Sequence, residues 1–257
     1  MSFREYYSIS NEIKRVTLLL LNNYRIVILD CPYSQFHSET VKTFFTDLIE
    51  LKIDGYIDEY GFGALPVDTT DFIGTHIALC EEESTHWKPI MAFKTISLSR
   101  SQDFGIPFSP LSLLKGKLND KSFEKVCSLI ESRSGEISFD SSWTVSSAYR
   151  AEKGAPLFLL EAMAGLMTLY HQDSEVGIPE LIVSGTMQVR ADAFFIKMGA
   201  ERIGEDSIFS HPAIKGGMCS ILHLKEFSPF ALRSAEKYRA LWNARVTIDG
   251  SKVKAAS

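Results

Sequence analysis

Two pairs of carboxylates and one glycine turn are the residues here whose types and spacing suit chemistry. Asp140 and Glu136 stand four apart in an alternating segment, residues 136–149, with Ile137, Phe139, Trp143 and Val145 on one face and Glu136, Ser138, Asp140, Ser142 and Thr144 on the other. On a strand that spacing sets the two carboxylates about 13 Å apart on one face, too far for a dyad but both turned toward a groove. A carboxylate so placed can serve as a general base, taking a proton directly or through water. Asp140 is the first candidate and Glu136 the second; the competing reading makes each a solvated strand residue or a helix-capping partner. Asp68 and Asp71, just before the apolar run from Phe72, suit either an ammonium site or the ordering of a turn.

The glycine turn is Arg150-Ala-Glu-Lys153-Gly154-Ala155-Pro156, at the start of the longest helical pattern, residues 157–171. A helix N-terminus presents unpaired N–H groups and a partial positive charge. Gly154 and Ala155 let a phosphate approach the backbone, and Arg150 and Lys153 add charge. The competing reading is that Gly154 only turns the chain and Arg150 is a solvated charge.

Other chemistries find no pattern. The six histidines, His37, His76, His86, His171, His211 and His223, form no HExxH or i,i+4 pair, so no metal site is expected. No GxSxG elbow, Walker loop or GxGxxG turn occurs. The four cysteines are scattered among apolar neighbours without a CxxC pair, as in a reduced, cytoplasmic protein. Net charge of −5 argues against nucleic acid as a partner, and no apolar run is long enough to predict a signal peptide or a membrane span.

These residues must be positioned by the surrounding elements. At 257 residues and 45% hydrophobic, the chain is long enough for one enlarged domain with a large core. Periodicity predicts a helix over residues 1–23, a strand at 26–29, a helix over 38–60, a hairpin of strands 72–80 and 89–98, and an insertion or lid at 101–118. A helix at 122–132, the strand 136–149, a helix at 157–171, a strand at 181–183 and a helix at 189–198 follow. Short strands at 201–204 and 218–225 and a C-terminal helix over 228–244 complete the order, with a frayed tail from Gly250. The long helix should bury Leu159, Met163, Leu166 and Tyr170.

The segment from Trp143 through Arg150 and Gly154 to Pro156, together with Ala193 to Gly204, resembles the GNAT superfamily of acyltransferases over about residues 40–226. The resemblance implies a single α+β domain: a mixed, mostly antiparallel central sheet flanked by helices, with the extra C-terminal helix, its core spanning about 24–226. Within that superfamily, Asp68-Thr-Thr-Asp71 before a strand is similar to the acyl-homoserine-lactone synthases and long-chain N-acyl amino acid synthases, with Lys52 where an Arg is usual. The implied activity is transfer of an acyl group from a pantetheine thioester, acyl-CoA or the acyl-4'-phosphopantetheine of an acyl carrier protein, to a small-molecule amine.

The resemblance implies phosphopantetheine contacts at Val145, Ser147, Arg150, Lys153, Gly154 and Ala155, with oxyanion donors from a splayed backbone around residues 145–147. It implies an acyl and acceptor site at Asp68, Asp71, Trp143, Phe194 and Phe195, with Phe158 and Met163 as further apolar walls. The sequence also departs from the pattern. Three residues separate Arg150 from Gly154 instead of two, Pro156 removes an N–H donor, the usual Tyr acid is replaced at Phe194-Phe195, and the Glu-x-Ser-Arg motif is not kept, Ser142 standing at its Arg position. These departures motivate a second expectation, a non-catalytic GNAT fold that holds an acyl ligand or partner.

Overall fold

The computed structural model describes residues 23–64, 66–83, 86–132, 137–151, 155–173, 175, 180–204, 206–211, 214, 216–249 and 252–255. The helix expected over residues 1–23 lies almost wholly outside them. The chain runs β1 (Tyr24–Asp30), a 3₁₀ turn (Pro32–Gln35), α1 (Glu39–Tyr60), a second 3₁₀ turn (Gly61–Gly63), α2 (Thr70–Ile73), β2 (Thr75–Glu83), β3 (His86–Ser97), α3 (Leu98–Asp103), α4 (Ser109–Leu114) and α5 (Asp120–Glu131). It continues through β4 (Ile137–Val145), α6 (Ser147–Ala151), α7 (Ala155–Gln172), β5 (Glu180–Thr186), α8 (Ala191–Met198), β6 (Glu201–Arg202), β7 (Ile208–Ser210), β8 (Met218–Leu224), α9 (Pro229–Asn243), β9 (Val246–Asp249) and β10 (Lys252–Ala255).

All strands join one sheet in the order β10-β9-β1-β2-β3-β4-β5-β8-β6, with β7 also on β8. Only β1/β9 and β4/β5 are parallel. This is the mixed, mostly antiparallel α+β sheet flanked by helices that the resemblance implies. Alternation sends Ile26, Ile77, Met91 and Phe93 to one face, where α7, α8 and α9 cover them with Leu159, Met163, Leu166, Tyr170 and Tyr238. Val27, Leu29 and Ala78 point the other way, onto Phe44, Phe45 and Leu48 of α1. Beside that layer, α4 and α5 close the same face over Phe139, Ile182 and Ile221. Each such side chain contributes about 1.5–3 kcal/mol by leaving water.

Capping fixes the helix starts. Ser38, Asn119 and Ser228 each accept from an N–H of the first turn of α1, α5 and α9, and α8 stops at Gly199 with φ 113°. Where the structure departs from expectation, side chains or register explain it. Phe72 belongs to α2 and not to the strand, because Asp68 accepts from the Thr70 N–H and winds a turn first. Residues 101–118 are not a lid: Phe108, Leu114 and Leu118 are buried in the second core. Within the tail expected to fray from Gly250, Lys252–Ala255 instead pairs with β9, which in turn supplies the hydrogen bonds that the edge of β1 needs. The strand expected over 136–149 ends at Val145, and Tyr149 sits in α6.

Candidate active site

β4 and β5 run side by side only from Ile137/Glu180 to Asp140/Val183. Beyond that point β4 follows β3 to Val145, and β5 follows β8 to Thr186, so the two separate. The divergence coincides with a bulge: Ala92 pairs with Thr144 and Lys94 with Ser141, leaving Phe93 opposite both Ser142 and Trp143. Ser142 takes the left-handed conformation, φ 56°, that such an extra residue requires. The bulge also inverts the strand. Ile137 and Phe139 face the α4/α5 core, whereas Trp143 and Val145 face α7. The single polar face expected along this strand is therefore split: Asp140 points toward α7, and Thr144 points at α1, with its hydroxyl near the Leu51 carbonyl.

Two cavities open at the split. One, of about 300 Å³, lies on the α7/α8 side between Asp140, Trp143, Leu159, Met167 and Phe195. The other, of about 570 Å³, lies on the opposite face beneath α4, with Asp68, Thr70, Ser109, Ser112 and His211 among its walls. Tyr56, Ser141, Ser142, Ser184 and Thr186 line both, so the two cavities approach each other at the gap between the strands.

The first cavity has an apolar wall and an unsatisfied polar interior. Trp143 stacks on Phe194 with ring centroids 4.7 Å apart, and Phe195 packs edge-on to both. Among the described residues, the buried Trp143 Nε1–H donor and the buried Asp140 Oδ1 acceptor have no hydrogen-bond partner. Asp140 Oδ2 accepts from His171 Nε2 at 2.8 Å, and both side chains are fully enclosed. At the mouth, the Tyr60 hydroxyl is 2.9 Å from Thr186 Oγ1. Burial, opposed by the Thr186 hydrogen bond, pushes Tyr60 up to about 12, so it is a proton donor at neutral pH. Burial likewise raises Glu59 against the opposing charge of Arg150. Phe158 packs between Tyr24 and Tyr238 and Met163 is core, so neither lines the cleft.

The expected phosphate cradle looks different. Arg150 spends its guanidinium inside the protein, donating to the carbonyls of Val145 and Gly55 and pairing with Glu59. Its role is to fasten α6 to α1, and Gly55 is what allows the close approach, since a Cβ there would strike Thr144 and Arg150. The Val145 carbonyl is thereby occupied, the Ser146 N–H donates to the Ile90 carbonyl, and Ser147 is exposed on α6. Ala155 begins α7. Glu136, Lys153 and Gly154 lie outside the described residues.

Asp71 is also committed internally. It is wholly buried between Lys52 of α1, with which it hydrogen-bonds, and Lys94 of β3, 3.2 Å away. Burial alone would raise its carboxyl, but Lys94 and Lys52 hold it at about 2. Burial, reinforced by Lys94 and opposed by Asp71, lowers Lys52 to about 8. An ammonium site at Asp71 is thus already filled by the protein's own lysines. Asp68 keeps 66% of its side chain exposed at the edge of the second cavity, accepting from the Thr70 N–H and from Lys94. Its turn-ordering role is realised, and it still faces the cavity.

Sequence reasoning did not single out His171, Lys94, Tyr56, Tyr60, Ser184 or Thr186 as site residues. A lysine inside the apolar run 90–96 is the one signal that pointed inward. The others are unremarkable in type and spacing until α1, α7 and β5 converge.

No family model matches the chain, and no curated protein matches it. Solved structures similar to it include the acyl-homoserine lactone synthase LasI, at 15% identity over 81% of this chain and 93% of that one, TM-score 0.47. A putative N-acetyltransferase from Lactobacillus plantarum gives 13% identity over 78% and 96%, TM-score 0.43. FeeM, an N-acyl amino acid synthase from uncultured soil microbes, gives 12% over 70% and 84%, TM-score 0.36. These acyltransferases are what the chain is similar to in outline; its chemistry rests on the residues that line the two cavities.

Proposed function

We propose that this protein is a GNAT-like N-acyltransferase that moves an acyl group from a pantetheine thioester to a small amine across the β4/β5 split. The observation that supports the reading is the split itself: two cavities that share lining residues where a parallel strand pair separates, beside a buried carboxylate with an unsatisfied oxygen. Two reactants entering from opposite faces would meet there in a fixed orientation, which supplies much of what a bimolecular step needs.

In this reading the thioester occupies the apolar cleft, its acyl chain against Trp143, Phe194 and Phe195, and the amine enters from the side of Asp68. Asp140 Oδ1 takes a proton from the amine, directly or through a water, as the C–N bond forms. Main-chain N–H groups of β4 beyond Asp140, released from pairing with β5, stabilise the oxyanion. The C–S bond then breaks, and the thiolate takes its proton from the Tyr60 hydroxyl, leaving an amide and a free thiol.

The internal use of Arg150 favours a second reading, in which the fold holds an acyl ligand without turnover. A thiol-release assay separates the two: acyl-CoA and acyl-phosphopantetheine thioesters of two to twelve carbons are paired with a panel of amines, and the amide is identified by mass. Release with amide formation in at least one pair is expected. Binding of the thioester without release in any pair would overturn the enzymatic reading in favour of the second.

A further inference from the structure

We infer that His171 is a positioning residue for Asp140, holding the carboxylate by one oxygen so that the other is left as the proton acceptor. The inference rests on the acyltransferase reading and adds to it a residue that does not touch substrate. His171 lies in the last turn of α7, and its Nε2 is 2.8 Å from Asp140 Oδ2, with neither side chain reachable by solvent. An ionised carboxylate only accepts, so Nε2 carries the hydrogen and the bond selects one tautomer. The ring is itself held: Tyr170 packs edge-on at 5.1 Å and Phe227 lies on its other side at 6.4 Å.

Asp140 therefore has one rigid oxygen and one, Oδ1, with no hydrogen-bond partner among the described residues. A lone buried carboxylate on a strand next to a bulge would otherwise rotate about χ2, which is broad for aspartate. The remaining surroundings do not compete for it. Thr95 stands opposite in register, and its buried hydroxyl has no hydrogen-bond partner among the described residues. Val183, the β5 partner, is apolar. The other titratable groups on this side are Tyr170, held protonated by burial, the Asp30–Arg100 pair beyond it, and Tyr56, Glu59, Tyr60 and Arg150 around the cavity.

The test uses His171→Gln, which keeps an N–H donor, and His171→Leu, which removes it, each checked for unchanged thermal unfolding. With an active thioester and amine pair, His171→Leu should lower kcat at least about 10-fold with KM changed less than about twofold, since only the proton transfer is disturbed. His171→Gln should recover much of the rate. Wild-type turnover that persists in both variants overturns the inference and leaves the acyltransferase reading standing; a wild type that releases no thiol removes that reading and the inference with it. A readout independent of turnover is nitrogen NMR of histidine-labelled protein, with the His171 signal assigned by its loss in His171→Gln. A single Nε2–H tautomer is expected, and an Nδ1–H tautomer or a rapidly averaged ring overturns the inference even in an active enzyme.

Discussion

At the scale of single residues, the buried charges separate into a group that holds the fold and a group left for chemistry. Lys52, Lys94, Asp71 and His76 belong to the first: their partners are each other, and none of Lys52, Lys94 or Asp71 has an unfilled valence toward a cavity. His76 donates from its ring to the Asp71 carbonyl, and burial, before any charge, lowers it to about 4. Because the folded value lies below the ordinary 6.5, the unfolded chain binds the extra proton first. Stability is then fully present above about pH 6.5 and falls as pH drops toward 4, by about 3 kcal/mol at about 1.4 kcal/mol per pH unit. His211, lowered to about 4 by burial and then by Lys117, adds to the same slope. Urea titrations from pH 7 to 4 should show this loss, and His76→Asn should flatten it; an equal slope in the variant would assign it elsewhere. Asp140 is assigned to the second group by the proposed reading. Asp140→Asn preserves volume and should leave thermal unfolding near that of the wild type while lowering kcat about 100-fold or more, the usual worth of a positioned base; turnover within threefold of wild type would remove Asp140 from that role.

At the scale of elements, the bulge in β4 decides most. One extra residue opposite Phe93 redirects Trp143 from the α4/α5 core to the cleft and lets β4 leave β5. The cost is concentrated at Ser142, whose φ of 56° a β-branched side chain tolerates badly. Ser142→Val should therefore lower stability by about 1–2 kcal/mol, and Ser142→Gly should leave it unchanged or slightly improved, both measured by chemical unfolding. If valine costs nothing, the strand has another register available and the bulge is not what fixes the split. Helix α1 is the second deciding element. Gly55 brings its backbone against Thr144 and the Arg150 guanidinium, so α1 doubles as the wall that carries Tyr56 and Tyr60 to the split.

At the scale of the whole molecule, the proposed reading makes the sheet a partition opened at the β4/β5 split, where Ser184 borders both cavities. Ser184→Leu should fill the opening, so that thioester binding to the cleft, followed by Trp143 fluorescence, survives while amide formation falls by 10-fold or more. Loss of both together would mean that the two cavities do not serve separate reactants.

What was legible in the sequence is what is local. Alternation and 3.6-residue periodicity marked the longer strands and helices within a few residues but not the short elements β7, β9, β10, α2, α3 and α6; the α7 stripe of Leu159, Met163, Leu166 and Tyr170 is buried as its spacing requires, and Asp68 orders the turn its type suggests. Asp140 stood out as a carboxylate on the polar face of an alternating strand. Tertiary structure decided the rest. A bulge leaves the sequence alternation intact yet exchanges the faces after it, so which core Trp143 joins was undetermined until β3 was paired. Arg150 beside a glycine turn reads the same whether it meets a phosphate or the carbonyls of Val145 and Gly55, 95 positions apart in the case of Gly55. His171 and Asp140 are 31 positions apart on different elements. Their bond exists because α7 packs across β4, and contacts of that separation are fixed by the packing of faces and not by any pattern within one segment.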